Sequence, residues 1–219
     1  MMGIACRWLV TLSILALAAC ASAPTQFYTL LPRAEIHAGT HAHAAFAIDV
    51  EPVVVPAEVD QAAWLVRTGQ GQVALLDNER WAAPLGDELR AAFADALRRD
   101  TGASDMQLGN ARTNLPVYRI LIDVRRFESV PGQYALIQAD WTVTRRDMNH
   151  LAAPDHNADA HDKVGSASTL ACSSQVSQPV EPGYAALAVG HQKALAGIAD
   201  EIARAVRNLA AGKRECPQI

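Results

Sequence analysis

The run Val117-Tyr118-Arg119-Ile120-Leu121-Ile122-Asp123-Val124-Arg125-Arg126-Phe127, with Ala135-Leu136-Ile137-Gln138-Ala139-Asp140-Trp141-Thr142-Val143 shortly after it, settles the architecture. Tyr118, Ile120, Ile122 and Val124 alternate with Arg119, Leu121, Asp123 and Arg125. Ala135, Ile137, Ala139, Trp141 and Val143 alternate with Tyr134, Leu136, Gln138, Asp140 and Thr142. A period of two is the signature of strands with one face turned to a core. Val130-Pro131-Gly132 between them is a turn signal, so the two runs predict a long hairpin.

Working outward, residues 81–99 predict a helix. Leu85, Leu89, Ala92, Phe93, Ala96 and Leu97 share one face, and Pro84 suits the first turn. Asp87 and Glu88 near its start and Arg98 and Arg99 near its end complement the helix dipole, and Thr101-Gly102 stops it. Residues 163–178 are small and β-compatible, with Val164, Ala167, Leu170, Cys172 and Val176. Residues 184–211 predict a second, longer helix. Tyr184, Leu187, Ala188, His191, Leu195, Ile198, Ile202, Ala205, Val206 and Leu209 recur three or four apart, while Asp200, Glu201, Arg204 and Arg207 fall mainly on the other side. Gly212 is its expected C-cap. Nearer the N-terminus, 27–32 is a short β-prone run and 46–56 a strand whose Pro52 and Pro56 suggest an edge or a bend. Residues 63–67 and 72–76 form a hairpin around Thr68-Gly69-Gln70-Gly71, and 77–80 break the pattern. Residues 33–45 read as a loop, and 145–162 as a hairpin tip or insertion. Strands without regular crossover helices predict an α+β fold, a mostly antiparallel sheet with two amphipathic helices packed on one face.

The N-terminus carries a different message. Arg7 gives a positive n-region, residues 8–17 are apolar apart from Thr11 and Ser13, and Leu17-Ala18-Ala19-Cys20 closes the segment. The run is too short to span a bilayer and has a signal-peptide layout. It reads as a bacterial lipobox, in which the thiol of Cys20 accepts a diacylglyceryl group and cleavage before it frees an amine for another acyl chain. Two or more chains anchor stably where one is marginal. The competing reading is a secretory signal with a chance cysteine. Ala21, where an aspartate would favour the inner membrane, points to the outer membrane. The expected organisation is a signal over 1–19, a lipidated N-terminus with a short strand and tether over 20–44, a domain over 45–212 and a tail over 213–219.

Half the residues are apolar, enough for a substantial core. Loss of Arg7 with the signal leaves 18 basic against 23 acidic residues, a balance of −5. With no basic stripe, nothing points to nucleic acid. Of the four cysteines, Cys6 leaves with the signal and Cys20 is lipidated. Cys172 and Cys216 remain as candidates for one disulfide in an oxidising compartment, the alternative being one buried and one C-terminal thiol.

Arg80 and Trp81 have two readings. They form a partner-facing patch, since Arg and Trp are enriched at interface hot spots, or Trp81 packs the helix start on the sheet while Arg80 holds a carboxylate. His37, His41 and His43, and His150, His156 and His161, are spaced too irregularly for a supported metal site, so no metal or other cofactor is expected beyond the lipid on Cys20. His191 falls on the apolar helix face and reads as a core or interface histidine. No G-x-S-x-G elbow is present, and Ser166 and Ser168 read as structural.

Several separated pieces agree with one family. Cys20, Phe27-Tyr28-Thr29-Leu30, Val53-Val54-Val55-Pro56, Leu65-Val66-Arg67 and, most specifically, Arg80-Trp81-Ala82-Ala83-Pro84-Leu85 stand in the order of the ABC-type transport auxiliary lipoproteins of the PqiC/YmbA type, which this chain resembles. The resemblance implies a non-enzymatic accessory subunit at the outer membrane, serving transporters with mammalian-cell-entry (MCE) domains that move lipid between membranes. Its implied partners are an MCE protein and the transporter subunits, with ring-forming homo-oligomers among the expectations. Consistent with an accessory that hydrolyses no ATP, the chain has no G-x-x-x-x-G-K-[ST]. The alternative is another assembly or envelope-integrity lipoprotein of similar build, and a third option, direct lipid carriage, predicts an apolar cavity between sheet and helices.

Overall fold

A computed structural model describes residues 23–33, 44–106, 115–146 and 168–217. In chain order the elements are β1 (Gln26–Tyr28), β2 (Ala47–Val50), β3 (Ala63–Gly69), β4 (Gln72–Trp81), α1 (Leu85–Thr101), β5 (Ser104–Asp105), β6 (Val117–Val130), β7 (Tyr134–Arg146), β8 (Thr169–Pro179) and α2 (Tyr184–Ala210). The α+β class holds, with one difference of arrangement. The strands form two mixed sheets, β1-β4-β3 and β5-β2-β6-β7-β8. The antiparallel pairs are β3–β4, β6–β7 and β7–β8; β1–β4, β2–β5 and β2–β6 run parallel.

The β6–β7 hairpin is the spine. Its turn has Pro131 and then Gly132 at φ 70°, with the Gln133 N–H donating to the Val130 carbonyl at 3.0 Å, the residue order a type II turn requires. Ile120, Ile122, Val124, Ala139, Trp141 and Val143 on its inner face are 2% exposed or less. A register shift between Val124 and Arg126 inserts Arg125 as a bulge. One extra residue reverses the side-chain parity, so buried Phe127 and Ser129 continue the inner face begun by Val124. Beyond that bulge β3 lies along β6 and brings the three-stranded sheet with it.

Helix α2 crosses the inner face over β7 and β8, and α1 lies beside it. Gly190 marks the closest approach: a Cβ there would lie 2.3 Å from Val180 Cγ1 and 3.0 Å from Ala135 Cβ. Gly190→Ala should therefore lower stability by about 1–2 kcal/mol, overpacking outweighing the gain in helix propensity, as read by urea denaturation.

Several local readings are corrected. Residues 77–80 do not break the hairpin; β4 runs through them to Trp81, and the helix starts at Leu85 with Pro84 at its N-cap. Pairing with β1 explains the extra length, since Gln26, Phe27 and Tyr28 align with Glu79, Arg80 and Trp81. The short strand expected in the segment 20–44 is β1, and it pairs with β4. Gly212, at φ 78°, lies one residue beyond the C-cap Ala211. Glu201 faces inward and is 6% exposed, because Ser174 on β8 lies opposite it.

Candidate functional site

Where the two sheets and α2 meet, the aromatic side chains collect. Trp64 of β3 sits 4.2 Å from Trp81 of β4 and 5.1 Å from Tyr28 of β1, centroid to centroid. Trp81 meets Phe127 edge-on at 5.9 Å, and Phe127 stacks on the His191 ring of α2 at 4.0 Å and 10°. Trp64, Trp81 and His191 are 2% exposed or less. The Trp64 indole N–H donates to Ser129 Oγ at 2.9 Å, and Ser129 Oγ lies 2.8 Å from His191 Nε2. Because the indole can only donate, the serine hydroxyl proton is free to point at Nε2. Burial lowers the His191 pKa from 6.5 to about 3, so the ring is neutral. Its Nδ1 is buried without a partner among the described residues. The Ser–His pair is sealed in the core, and among the described residues no acid orients His191 Nδ1 as one would in a catalytic triad.

A second relay repeats the pattern. The Trp141 indole donates to Ser174 Oγ at 2.8 Å, and that hydroxyl donates to Glu201 of α2. In both relays a sheet indole reaches a polar helix side chain through a serine, which satisfies buried donors while pinning α2 in register. Nothing in local sequence marks Ser129 or Ser174 for this role; only the inward position of His191 was legible.

Among the described residues, the opposite face of the five-stranded sheet carries no helix. An open trough of about 800 Å³ runs along it, lined by Glu51, Val54, Arg119, Leu121, Asp123 and Asp140 among others. Its charges are matched internally: Arg119 pairs with Glu51 and, at 3.7 Å, with Asp49, while Arg125 reaches Asp123 at 2.9 Å and Asp140 at 3.2 Å. At the turn end, Arg67 of β3 binds Glu128, which also accepts from Arg126 and Tyr134. Burial alone would raise the Glu128 carboxyl, but the Arg67 and Tyr134 hydrogen bonds with the two guanidinium charges hold it below the ordinary carboxylate value. Burial, then the Glu79 carboxylate 2.5 Å away, pushes the Tyr28 hydroxyl up to about 12.

The sequence-derived candidates separate clearly. Trp81 lies in the aromatic core and has no surface to offer a partner. Arg80, its neighbour, is half-buried on the other face of the sheet and forms no side-chain ion pair among the described residues, so the carboxylate expected for it is not seen there. Cys172 and Cys216 are joined as a disulfide, their Cα atoms 5.9 Å apart, tying the C-terminal tail to the edge strand β8. With Cys6 and Cys20 replaced by serine, the protein should accordingly take up no maleimide without reductant and two per chain after reduction, read by intact mass. Ser168 accepts from Arg214 at 3.1 Å. Cys20, Ser166 and the six histidines other than His191 lie outside the described residues. Among the described residues there is no group of three metal-ligating side chains, and no helix is long and apolar enough to cross a membrane.

A family model for the ABC-type transport auxiliary lipoprotein component matches residues 28–203. The chain belongs to that family. Two solved structures show the same fold. One, of an uncharacterised protein, is 14% identical with a TM-score of 0.60, the match covering 84% of this chain and 99% of that one. The other, a Xanthomonas campestris protein of the DUF330 family, is 19% identical with a TM-score of 0.50, covering 88% and 90%. A search of curated proteins returns no match. The matched span begins at Tyr28, so the family domain includes the end of β1, and it ends within α2. As a member of this family the chain is an envelope lipoprotein with an accessory role in transport.

Proposed function

We propose that this auxiliary lipoprotein is acylated on Cys20, sits on the periplasmic face of the outer membrane, and serves an MCE/ABC-type intermembrane lipid transport system by docking or scaffolding, without catalysis of its own. The observation that carries the proposal is the family match over 28–203 joined to the lipobox at Cys20. The site chemistry agrees. The Ser–His contact is sealed in the core, and the side chains between sheet and helices, among them Ile48, Ile120, Ile137, Leu195 and Ile198, are 3% exposed or less. A filled layer of this kind favours docking over carriage of an acyl chain inside the domain. The trough of the helix-free face, with its internally paired charges, is the surface offered to a protein neighbour.

Crosslinking in the native envelope, followed by identification of the captured protein, tests the proposal. An MCE-domain protein or another subunit of its transporter is the expected product. Efficient capture of an unrelated envelope assembly, with the lipid anchor intact, would favour the structural-lipoprotein alternative.

A further inference from the structure

Among the described residues the outer face of the three-stranded sheet is left largely uncovered, although Arg67 reaches Glu128 of β6 and Leu65 packs partly against the core. Trp64, Trp81 and Tyr28 point inward, so the residues alternating with them point out. Phe27 aligns with Arg80, Leu65 with Leu75, and Arg67 with Val73, each pair on one side of the sheet. Phe27 is 66% exposed, Val73 56% and Leu75 48%, with Leu65 half-buried beside them. Three large apolar side chains at this exposure on one small sheet face make a patch that needs an occupant.

The chain itself limits what the occupant is. Cys20 precedes Phe27 by seven residues, which even fully extended reach only about 25 Å. Strand β1 cannot swing away from the body, because Thr29 Oγ1 and the Leu30 N–H both donate to the buried Glu88 of α1, at 2.7 and 2.8 Å. Gln192 of α2 adds a bond to the Thr29 carbonyl at 3.0 Å. A lipid on Cys20 therefore holds this corner of the domain close to the headgroups. The guanidinium of Arg80, beside Phe27 and without an ion pair among the described residues, supplies the cation that anionic headgroups attract.

We infer that the face bearing Phe27, Leu65, Val73, Leu75 and Arg80 is a bilayer-docking surface. It seats shallowly in the headgroup region and fixes the orientation of the domain, leaving the helix-free trough of the larger sheet and the α2 side free of lipid. This rests on acylation of Cys20 from the proposed function.

The test uses the full-length protein with its acylation confirmed by mass. Single cysteines placed by Leu75→Cys and, as a control on the exposed side of α2 away from the sheet, Asp200→Cys are labelled with an environment-sensitive fluorophore without reductant. The protein is then reconstituted in vesicles of phosphatidylethanolamine and phosphatidylglycerol. Both sites are exposed, so labelling leaves the core intact. The label at 75 should shift to the blue and lose about half its emission to nitroxide-bearing lipids, whereas the label at 200 should do neither. Acylated protein in which the label at 75 stays in water, or in which both labels respond alike, overturns the docking surface while leaving the proposed function standing. An unacylated Cys20 overturns both. Arg80→Glu should weaken the quenching at 75; no change would remove Arg80 from the surface.

Discussion

Taking the protein from pH 7 to pH 5 should cost about 2 kcal/mol of folding stability through His191 alone, and by pH 3 about 4 kcal/mol. The sign follows from the lowered pKa. The folded ring, 0% exposed between Phe127 and the two indoles, stays neutral down to about pH 3, whereas the unfolded chain binds a proton near the ordinary value of 6.5. The contribution is therefore complete above pH 6.5, falls as the pH drops below it, and levels off below about 3. His191→Gln keeps a polar group in reach of Ser129 but cannot titrate. It should be less stable than the parent at pH 7, having lost the stack on Phe127, yet its stability should lack this slope between pH 7 and 5. Urea denaturation of both proteins across that window makes the comparison. Glu128, whose carboxyl is held low by its arginines, contributes further losses only at more acidic pH, below the ordinary carboxylate range. Parallel slopes for parent and variant would mean that His191 is solvated in the folded state.

The other large effect belongs to Trp81→Ala, which should cost about 3–5 kcal/mol, a substantial share of what a domain of this size has. The indole is 2% exposed, packs on Trp64 at 4.2 Å and Phe127 at 5.9 Å, and closes β4 where it turns into α1. Its removal leaves a cavity among rigid rings that cannot collapse to fill it. Arg80→Ala, one residue away on the outer face, should change stability by less than about 1 kcal/mol. The contrast separates two residues that sit together in one motif. A Trp81→Ala protein that keeps its stability but loses its envelope partner would return Trp81 to the interface.

That contrast also shows how far the sequence could be read. The hairpin of residues 117–143 was legible because each strand has a buried and a solvated side, and so were the two helices, whose apolar residues recur with helical spacing. The bulge at Arg125 was not, since a single added residue only shifts the phase of an alternation and leaves no composition mark. Nor was the split into two sheets. Parallel pairing of β1 with β4 joins residues about fifty positions apart, and the mixed order β5-β2-β6 likewise depends on distant partners. The burial of Glu201 leaves no mark either, since helical charge usually faces solvent and it is Ser174 on a neighbouring strand that receives this one. At the candidate site, Trp81 packs the core from the end of a strand, not from the first turn of the helix. The relay residues Ser129 and Ser174 carry no signal until the sheet and helix are assembled around them.

The claim on which the functional account stands is that this family domain is tied to a membrane by lipid on Cys20. Mass analysis of the mature protein extracted from envelopes tests it most directly. The account predicts an N-terminus at Cys20 carrying a diacylglyceryl group and a further acyl chain, in a protein that needs detergent for release. A free thiol at residue 20 in protein recovered without detergent would contradict it.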